Sequence, residues 1–390
     1  AVMKDGDEAL KKYTLEFDKV SLDKIEVSAD EIEAASGRLD ENLKSSIQLA
    51  CKNIETFHRS EKQAFQKIET MPGVRCWQKA VGIEKVGLYI PGGTAPLFST
   101  VLMLGIPAQI SGCRETVLCT PPDKEGNINP AILFAAQLVG IKKIFKVGGV
   151  QAIAAMAYGT ESVPKVYKIF GPGNRFVMAA KQMVSTEGVA IDMPAGPSEV
   201  AILADESANP VFVAADMLSQ AEHGIDSQVL LVTNQENLIG KVNSEIARQL
   251  DLLPRKEIAA KSLENSKIIL LSEVQAMVDL MNQYAPEHLI ISMKNYSSIA
   301  EKIINAGSVF LGNYSPESAG DYASGTNHTL PTHGYAKAYN GVNLDSFVRK
   351  ITFQEITREG LQQLGPSVET MAQAEQLQAH SNAVTFRIKK

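Results

Sequence analysis

The hydrophobic pattern changes period along the chain. From Asp30 to Phe65 apolar positions recur at helical spacing with few breakers, and residues 1–70 as a whole read as helical. From Val86 onward short apolar runs alternate with Gly/Pro turns and helical stretches. The runs predict strands at Val86–Ile90, Thr116–Thr120, Ile144–Val147 and Val166–Phe170. Helices are expected at Leu97–Leu104, through Ala157 after Gly148-Gly149, and through Val184 after Gly171-Pro172-Gly173-Asn174. The pattern then restarts at Val200–Ala204. Asn209-Pro210 supplies an N-cap and first-turn pair for a helix to about Glu222, with Gly224 placed as its C-terminal cap. Further strands are expected at Gln228–Thr233, Ile268–Leu271, Leu289–Ser292 and Ser308–Leu311. Strands alternating with helices imply βαβ units and parallel sheets, so the fold class is α/β with two successive doubly wound units.

Residues 313–341 are rich in Gly, Ser, Thr, Asn and Tyr and read as a long ordered loop, a length usually tied to function. The tail, residues 342–390, reads as a strand, a helix at about Ser367–Ala379 and a strand at Ala383–Ile388.

At 390 residues, with 45% hydrophobic and 21% charged positions, the chain has the make-up of a globular protein of two or more domains. Its net charge is −6, with no run of five like charges and no basic patch. That argues against nucleic acid and anionic membrane surfaces as partners. No apolar stretch reaches the ~20 residues that span a bilayer, and no signal peptide is visible, although Ala1 is not an initiator Met. Cys51, Cys76, Cys113 and Cys119 form no C-x-x-C pair and read as reduced thiols in a cytosol-like compartment.

Ligands of doubly wound sheets bind beyond the carboxyl ends of the strands. That rule singles out the turns at 91–93, 148–149 and 171–174, each able to offer backbone N–H groups at a helix start. None matches G-x-G-x-x-G, so tight βα turns and phosphate binding are about equally supported. Of six histidines, His58 lies on a helix face and reads as a surface residue, whereas the other five fall near turns or element ends. Gln220 and His223 share one face of a helix end, which suits either metal ligation or interaction of the imidazole with the helix dipole. Glu287-His288 can supply two bases, although adjacent pairs arise by chance. Asp321 and His328 lie in the long loop, where Asp321 could equally cap a turn. Glu375 and His380 are five apart, about 140° around a helix, so they address one ligand only if the helix ends between them. Cys113 or Cys119 could attack an aldehyde, but neither sits in a nucleophile motif and packing is the favoured role.

Eight segments together carry a resemblance. They are VGLYIPGGTAPLFSTVLMLGIPA (86–108), GGVQAIAAMAYGTESVP (148–164), KIFGPGN (168–174), DMPAGPSEV (192–200), DMLSQAEHGIDSQ (216–228), APEHL (285–289), GDYASGTNHTLPT (320–332) and AHSNAVTFR (379–387). In this order, over nearly the whole chain, they resemble the histidinol dehydrogenase family. The resemblance implies incomplete Rossmann-like, aldehyde-dehydrogenase-like domains. Residues 1–88 with 199–340 would form one, 89–198 an NAD-side domain, and 341–390 an extended dimerisation tail crossing to the partner of a homodimer. It implies one zinc ion per subunit held by Gln220, His223, Asp321 and His380, and an acid–base pair of Glu287 and His288. NAD+ contacts would fall on Tyr89, Gln151 and Asn174. Substrate contacts would fall on Ser198, Glu317, His328, Glu375, His288 and His380, besides the other metal ligands. The implied reaction is cytoplasmic oxidation of L-histidinol through the aldehyde to L-histidine with two NAD+, the last step of histidine biosynthesis. Alternatives are a relative acting on another small polar alcohol, a non-catalytic relative, and a cysteine-dependent aldehyde dehydrogenase. The resemblance also implies a further stretch ahead of Ala1.

Overall fold

The computed structural model describes residues 1–92, 96–194 and 196–389, so the final glycine of the 91–93 turn lies outside the described residues. The chain opens with helices α1 (Val2–Tyr13), α2 (Ala29–Ala35) and α3 (Glu41–Ser60), followed by strands β1 (Ile68–Met71) and β2 (Val74–Gly82). A first parallel sheet comprises β3 (Lys85–Tyr89), β4 (Glu115–Thr120), β5 (Lys143–Lys146), β6 (Lys168–Phe170) and β7 (Ala190–Ile191). Its helices are α4 (Phe98–Ser111), α5 (Pro130–Leu138), α6 (Gly149–Tyr158) and α7 (Arg175–Ser185). A second comprises β8 (Glu199–Ala204), β9 (Gln228–Thr233), β10 (Lys267–Leu270), β11 (His288–Ser292) and β12 (Ser308–Leu311). With it run α8 (Pro210–Ala221), α9 (Glu236–Leu250), α10 (Lys256–Glu264), α11 (Val274–Tyr284), α12 (Tyr296–Ala300) and α13 (Glu317–Tyr322). The chain closes with β13 (Val348–Ile356), α14 (Arg358–Ala374) and α15 (Gln378–Ile388).

Two compact units result. The first holds Ala1–Glu61 and Ile83–Phe347, and the second Lys62–Gly82 and Val348–Lys390. In the first unit both sheets have the same order, β5-β4-β3-β6-β7 and β10-β9-β8-β11-β12. Each therefore starts in the middle, winds to one edge, and returns to the other side of its first strand. All six residues of β8 are buried, as expected where helices cover both faces of a parallel sheet. The helices before β3 clothe the first sheet. Ala35, Ile47 and Ile54 join Leu88, Leu102 and Ile144 in one cluster, while Val2, Ala9 and Leu10 join Ile153, Met156 and Val177 in another. The two expected doubly wound units are thus present.

In the second unit, β1-β2-β13 is an antiparallel sheet in which Trp77 stacks on Phe353 at 5.5 Å. The hydrophobic pattern does not predict β1 and β2, because β2 has a single buried residue and its mixed side chains show no clean alternation. The end of the tail also departs from expectation, since Ala383–Ile388 lies in α15 rather than in a strand. Its β-branched residues are accommodated because Gly365 in α14 lets Val384 and Ile388 approach. A Cβ at Gly365 would come within 2.2 Å of Ile388 Cδ1. Among the described residues no helix is long and apolar enough to cross a membrane.

Two local readings also change. The segment 313–341 is not all loop, since it contains α13. His58 is fully buried, with Nδ1 bonded to Glu61 Oε2 at 2.8 Å and Nε2 accepting from Asn327 Nδ2 at 3.3 Å. It is a core polar junction and not a surface residue.

Candidate active site

A cleft of about 170 Å³ lies where the carboxyl edge of the first sheet meets the amino edge of the second. Gly171, Pro172 and Gly173, which follow β6, line one side; Ser198, just before β8, and Glu287 and His288, at the start of β11, line the other. Gln220 and His223 arrive from the end of α8, whose chain returns there to begin β9. The strand-end rule therefore finds the first sheet's contribution, whereas the titratable groups of the second sheet cluster at its amino edge.

Glu199 holds both members of the Glu287-His288 pair through its backbone. Its N–H donates to Glu287 Oε2 at 2.9 Å, and its carbonyl lies 3.2 Å from His288 Nδ1. A carbonyl can only accept, so Nδ1 carries the proton and Nε2 is the nitrogen left for chemistry. Burial opposes charge on His288, but Glu287, Asp321 and Glu317 outweigh it and push the imidazole up to about 10. Burial raises Glu287 to about 7 and Glu317 to about 8, with His288 countering both. Asp321 is held below the usual carboxylate range despite its burial, because the His288 imidazole lies beside it, with Nε2 at 3.5 Å from Oδ1.

Glu317 and Asp321 stand four apart on α13, hence on one face. With His223 they bring one ligand atom each to within 4.8 Å of one another. Gln220 is fully buried, and among the described residues neither of its amide atoms has a hydrogen-bond partner; Glu317 Oε1 has no hydrogen bond there either, although it lies 3.4 Å from His288 Nδ1. Leaving buried polar atoms unpaired costs about 1–3 kcal/mol each, so the cluster is arranged for something that supplies partners. Nitrogen and oxygen donors converging on a carboxylate-rich point suit a divalent cation such as zinc. His328 steadies this wall, because its Nδ1 donates to Asp321 O at 2.8 Å and its Nε2 accepts from Thr100 Oγ1 at 3.1 Å.

A second, larger cleft of about 800 Å³ lies along α6 and α7, lined among others by Gly149, Gln151, Asn174 and Phe176. Tyr89 braces its rim, its hydroxyl accepting from Gly149 N at 3.0 Å. Burial pushes that phenol up to about 12, so it stays neutral. Asn174 caps α7 by accepting from Phe176 N and Val177 N. The two helix N-termini at Gly149 and Arg175 give this cleft the polarity that anions prefer.

A family model for histidinol dehydrogenase matches residues 1–388. The histidinol dehydrogenase of Bacteroides thetaiotaomicron is 68% identical over 387 residues, covering 99% of this chain and 90% of the relative. The chain belongs to the histidinol dehydrogenase family. That family is one of NAD-dependent oxidoreductases. The histidinol dehydrogenase of Escherichia coli O6:H1 is 54% identical over 385 residues, covering 98% of this chain and 88% of the relative. The crystal structure of histidinol dehydrogenase from Elizabethkingia anophelis superposes with a TM-score of 0.98 at 57% identity, covering 100% of this chain and 90% of that one. An acetylating aldehyde dehydrogenase from Geobacillus thermoglucosidasius shares the fold alone, with a TM-score of 0.54 and 13% identity over 90% of this chain and 95% of that one.

Relative to what the family resemblance implied, the first unit gathers Ser198, Gln220, His223, Glu287, His288, Asp321 and His328 around one cleft. Glu317 adjoins them, 3.4 Å from His288 Nδ1. Glu375 and His380 belong to the second unit and are exposed. The helix does end between them, since α14 stops at Ala374, Gln376 takes a φ of +62°, and α15 starts at Gln378. The 140° spacing of a continuous helix therefore does not apply to this pair. Cys113 and Cys119 fit packing, because burial pushes both thiols upward, Cys113 to about 12. Glu199 was not singled out from the sequence. Its backbone does the positioning, and no side-chain pattern signals that.

Proposed function

We propose that this chain oxidises L-histidinol through the aldehyde to L-histidine, using two NAD+ and one zinc ion per subunit. The observation that carries the reading is the Glu287-His288 pair, held by one backbone residue beside a cation-ready cluster, in a chain of this family. Zinc held by Gln220, His223, Asp321 and, from the tail of a partner copy, His380 would anchor the substrate's amine and imidazole nitrogens and polarise its alcohol. NAD+ in the cleft by Tyr89, Gln151 and Asn174 would accept the two hydrides.

His288 Nε2 takes the hydroxyl proton, with the ring orientation fixed by the Nδ1–Glu199 bond. A cation held by Asp321 would offset part of the carboxylate field that keeps the imidazole charged, which would leave Nε2 to act as base. Glu287, already close to neutrality in its carboxyl affinity, removes a proton from the water that adds to the aldehyde. His288 then serves the second oxidation. Ser198, Glu317, His328 and Glu375 contact the substrate. The tail comprising residues 341–390 makes the homodimer in which two such sites are shared. The four free cysteines fit a cytoplasmic, reducing setting.

The test is stoichiometry. Purified protein supplied with histidinol, zinc and NAD+ should form two NADH per substrate and release histidine. One NADH, or none, would overturn the reading, and turnover of another small alcohol in place of histidinol would move the substrate assignment within the family.

A further inference from the structure

Behind the Gly171–Asn174 turn lies a buried ion pair that the proposed chemistry does not use. Lys181 on α7 and Asp192 after β7 pair through Nζ and Oδ1, and their side chains are 1% and 2% exposed. Together they grip both backbone groups of one residue. Lys181 Nζ donates to Gly171 O at 2.9 Å, and Gly171 N donates to Asp192 Oδ2 at 2.8 Å. Asp192 is itself fixed, its Oδ1 accepting from Met193 N at 2.8 Å and its N–H donating to Ile169 O at 3.1 Å.

The gripped residue sits at a demanding point. Gly171 has a φ of +127°, and a Cβ there would lie 2.0 Å from Tyr89 O. It crosses the end of β3 where the first sheet changes winding direction, between β3 and β6. Three residues later Asn174 opens α7 at the larger cleft, while Gly171, Lys181 and Asp192 also line the smaller one. The turn thus touches both clefts, and its backbone has left the ordinary regions of φ/ψ. Such a turn keeps one conformation only if its surroundings over-determine it.

We propose that Lys181 and Asp192 are positioning residues that clamp the Gly171–Asn174 turn in the geometry that receives the dinucleotide. The assignment rests on NAD+ occupying the larger cleft. Removing Lys181 alone strands a buried carboxylate, and destabilisation follows from that in any case. Removing both charges avoids the stranded group yet leaves both backbone groups of Gly171 ungripped. The two variants therefore separate folding from positioning.

The experiment measures the NAD+ Kd by calorimetry on the zinc-loaded protein, with thermal melts alongside, for wild type, Lys181→Met and Lys181→Met/Asp192→Leu. Expected is a tenfold or greater rise in the NAD+ Kd for both variants. The double variant should recover most of the melting temperature lost by the single one while its NAD+ Kd stays raised. A double variant that recovers both melting temperature and NAD+ affinity would make the pair a folding element and overturn the proposal. Wild-type protein that binds NAD+ without oxidising histidinol would sink the functional reading instead, and the clamp would still be judged by Kd.

Discussion

The carbonyl of Glu199 and the Nδ1 of His288 are 3.2 Å apart across adjacent parallel strands, and this single contact decides which imidazole nitrogen is available as a base. His288→Asn removes the basic nitrogen in a side chain of similar polarity. Turnover of histidinol is expected to fall by roughly 10²–10⁴. A quench of both NADH-forming steps with an unchanged melt would support the role, and near-normal turnover would refute it.

Glu287 gives a stability prediction with a definite sign. Burial lifts its carboxyl from the ordinary range to about 7, so the folded cation-free protein holds a proton that the unfolded chain releases near pH 4. Stability from this group is present at low pH and is lost as pH rises from about 4.5 through 7. Glu287→Gln, which keeps an acceptor for Glu199 N–H, should therefore raise the melting temperature at pH 8 more than at pH 5. It should also stop the reaction at the aldehyde. Melts with the opposite pH trend would contradict the burial argument.

Gln220 carries two buried amide atoms that have no hydrogen-bond partner among the described residues. In the cation-free protein, Gln220→Leu removes that penalty at similar volume and should stabilise the fold by about 1–3 kcal/mol. The same change should weaken zinc binding, measured by competition with a chromophoric chelator. Loss of stability together with unchanged zinc affinity would show that the amide has partners of another kind.

Chelation should abolish turnover, and added Zn²⁺ should restore it. The zinc-loaded form should also melt higher, because a cation bound only by the folded state adds its binding free energy to stability. Activity indifferent to a strong chelator would remove the metal from the mechanism.

The shared site is open to a complementation assay. His288→Asn and His380→Asn subunits, each inactive alone, should regain partial activity on mixing, since one hybrid site would carry both histidines. No recovery despite demonstrated subunit exchange would place His380 outside the neighbouring site.

What the sequence determined by itself was wherever local chemistry dominates. Short apolar runs such as VAILA and VLLVT, set between turns and helical stretches, read as buried parallel strands, and Gln228–Thr233 and Ser308–Leu311 have the ends expected of them. The ordered motifs likewise carried the family. The tertiary structure decided the rest, because it depends on partners remote in sequence. Ala383–Ile388 looks like a strand until Gly365 offers it a helix to lie against. His58 looks superficial until Asn327, 269 positions away, covers it. Lys181 and Asp192 gave no signal, since a buried ion pair has no period. The cluster at the amino edge of the second sheet was likewise hidden. Glu287, His288, Gln220 and Asp321 meet there only because both sheets wind outward from their first strands and bring three distant segments to one edge.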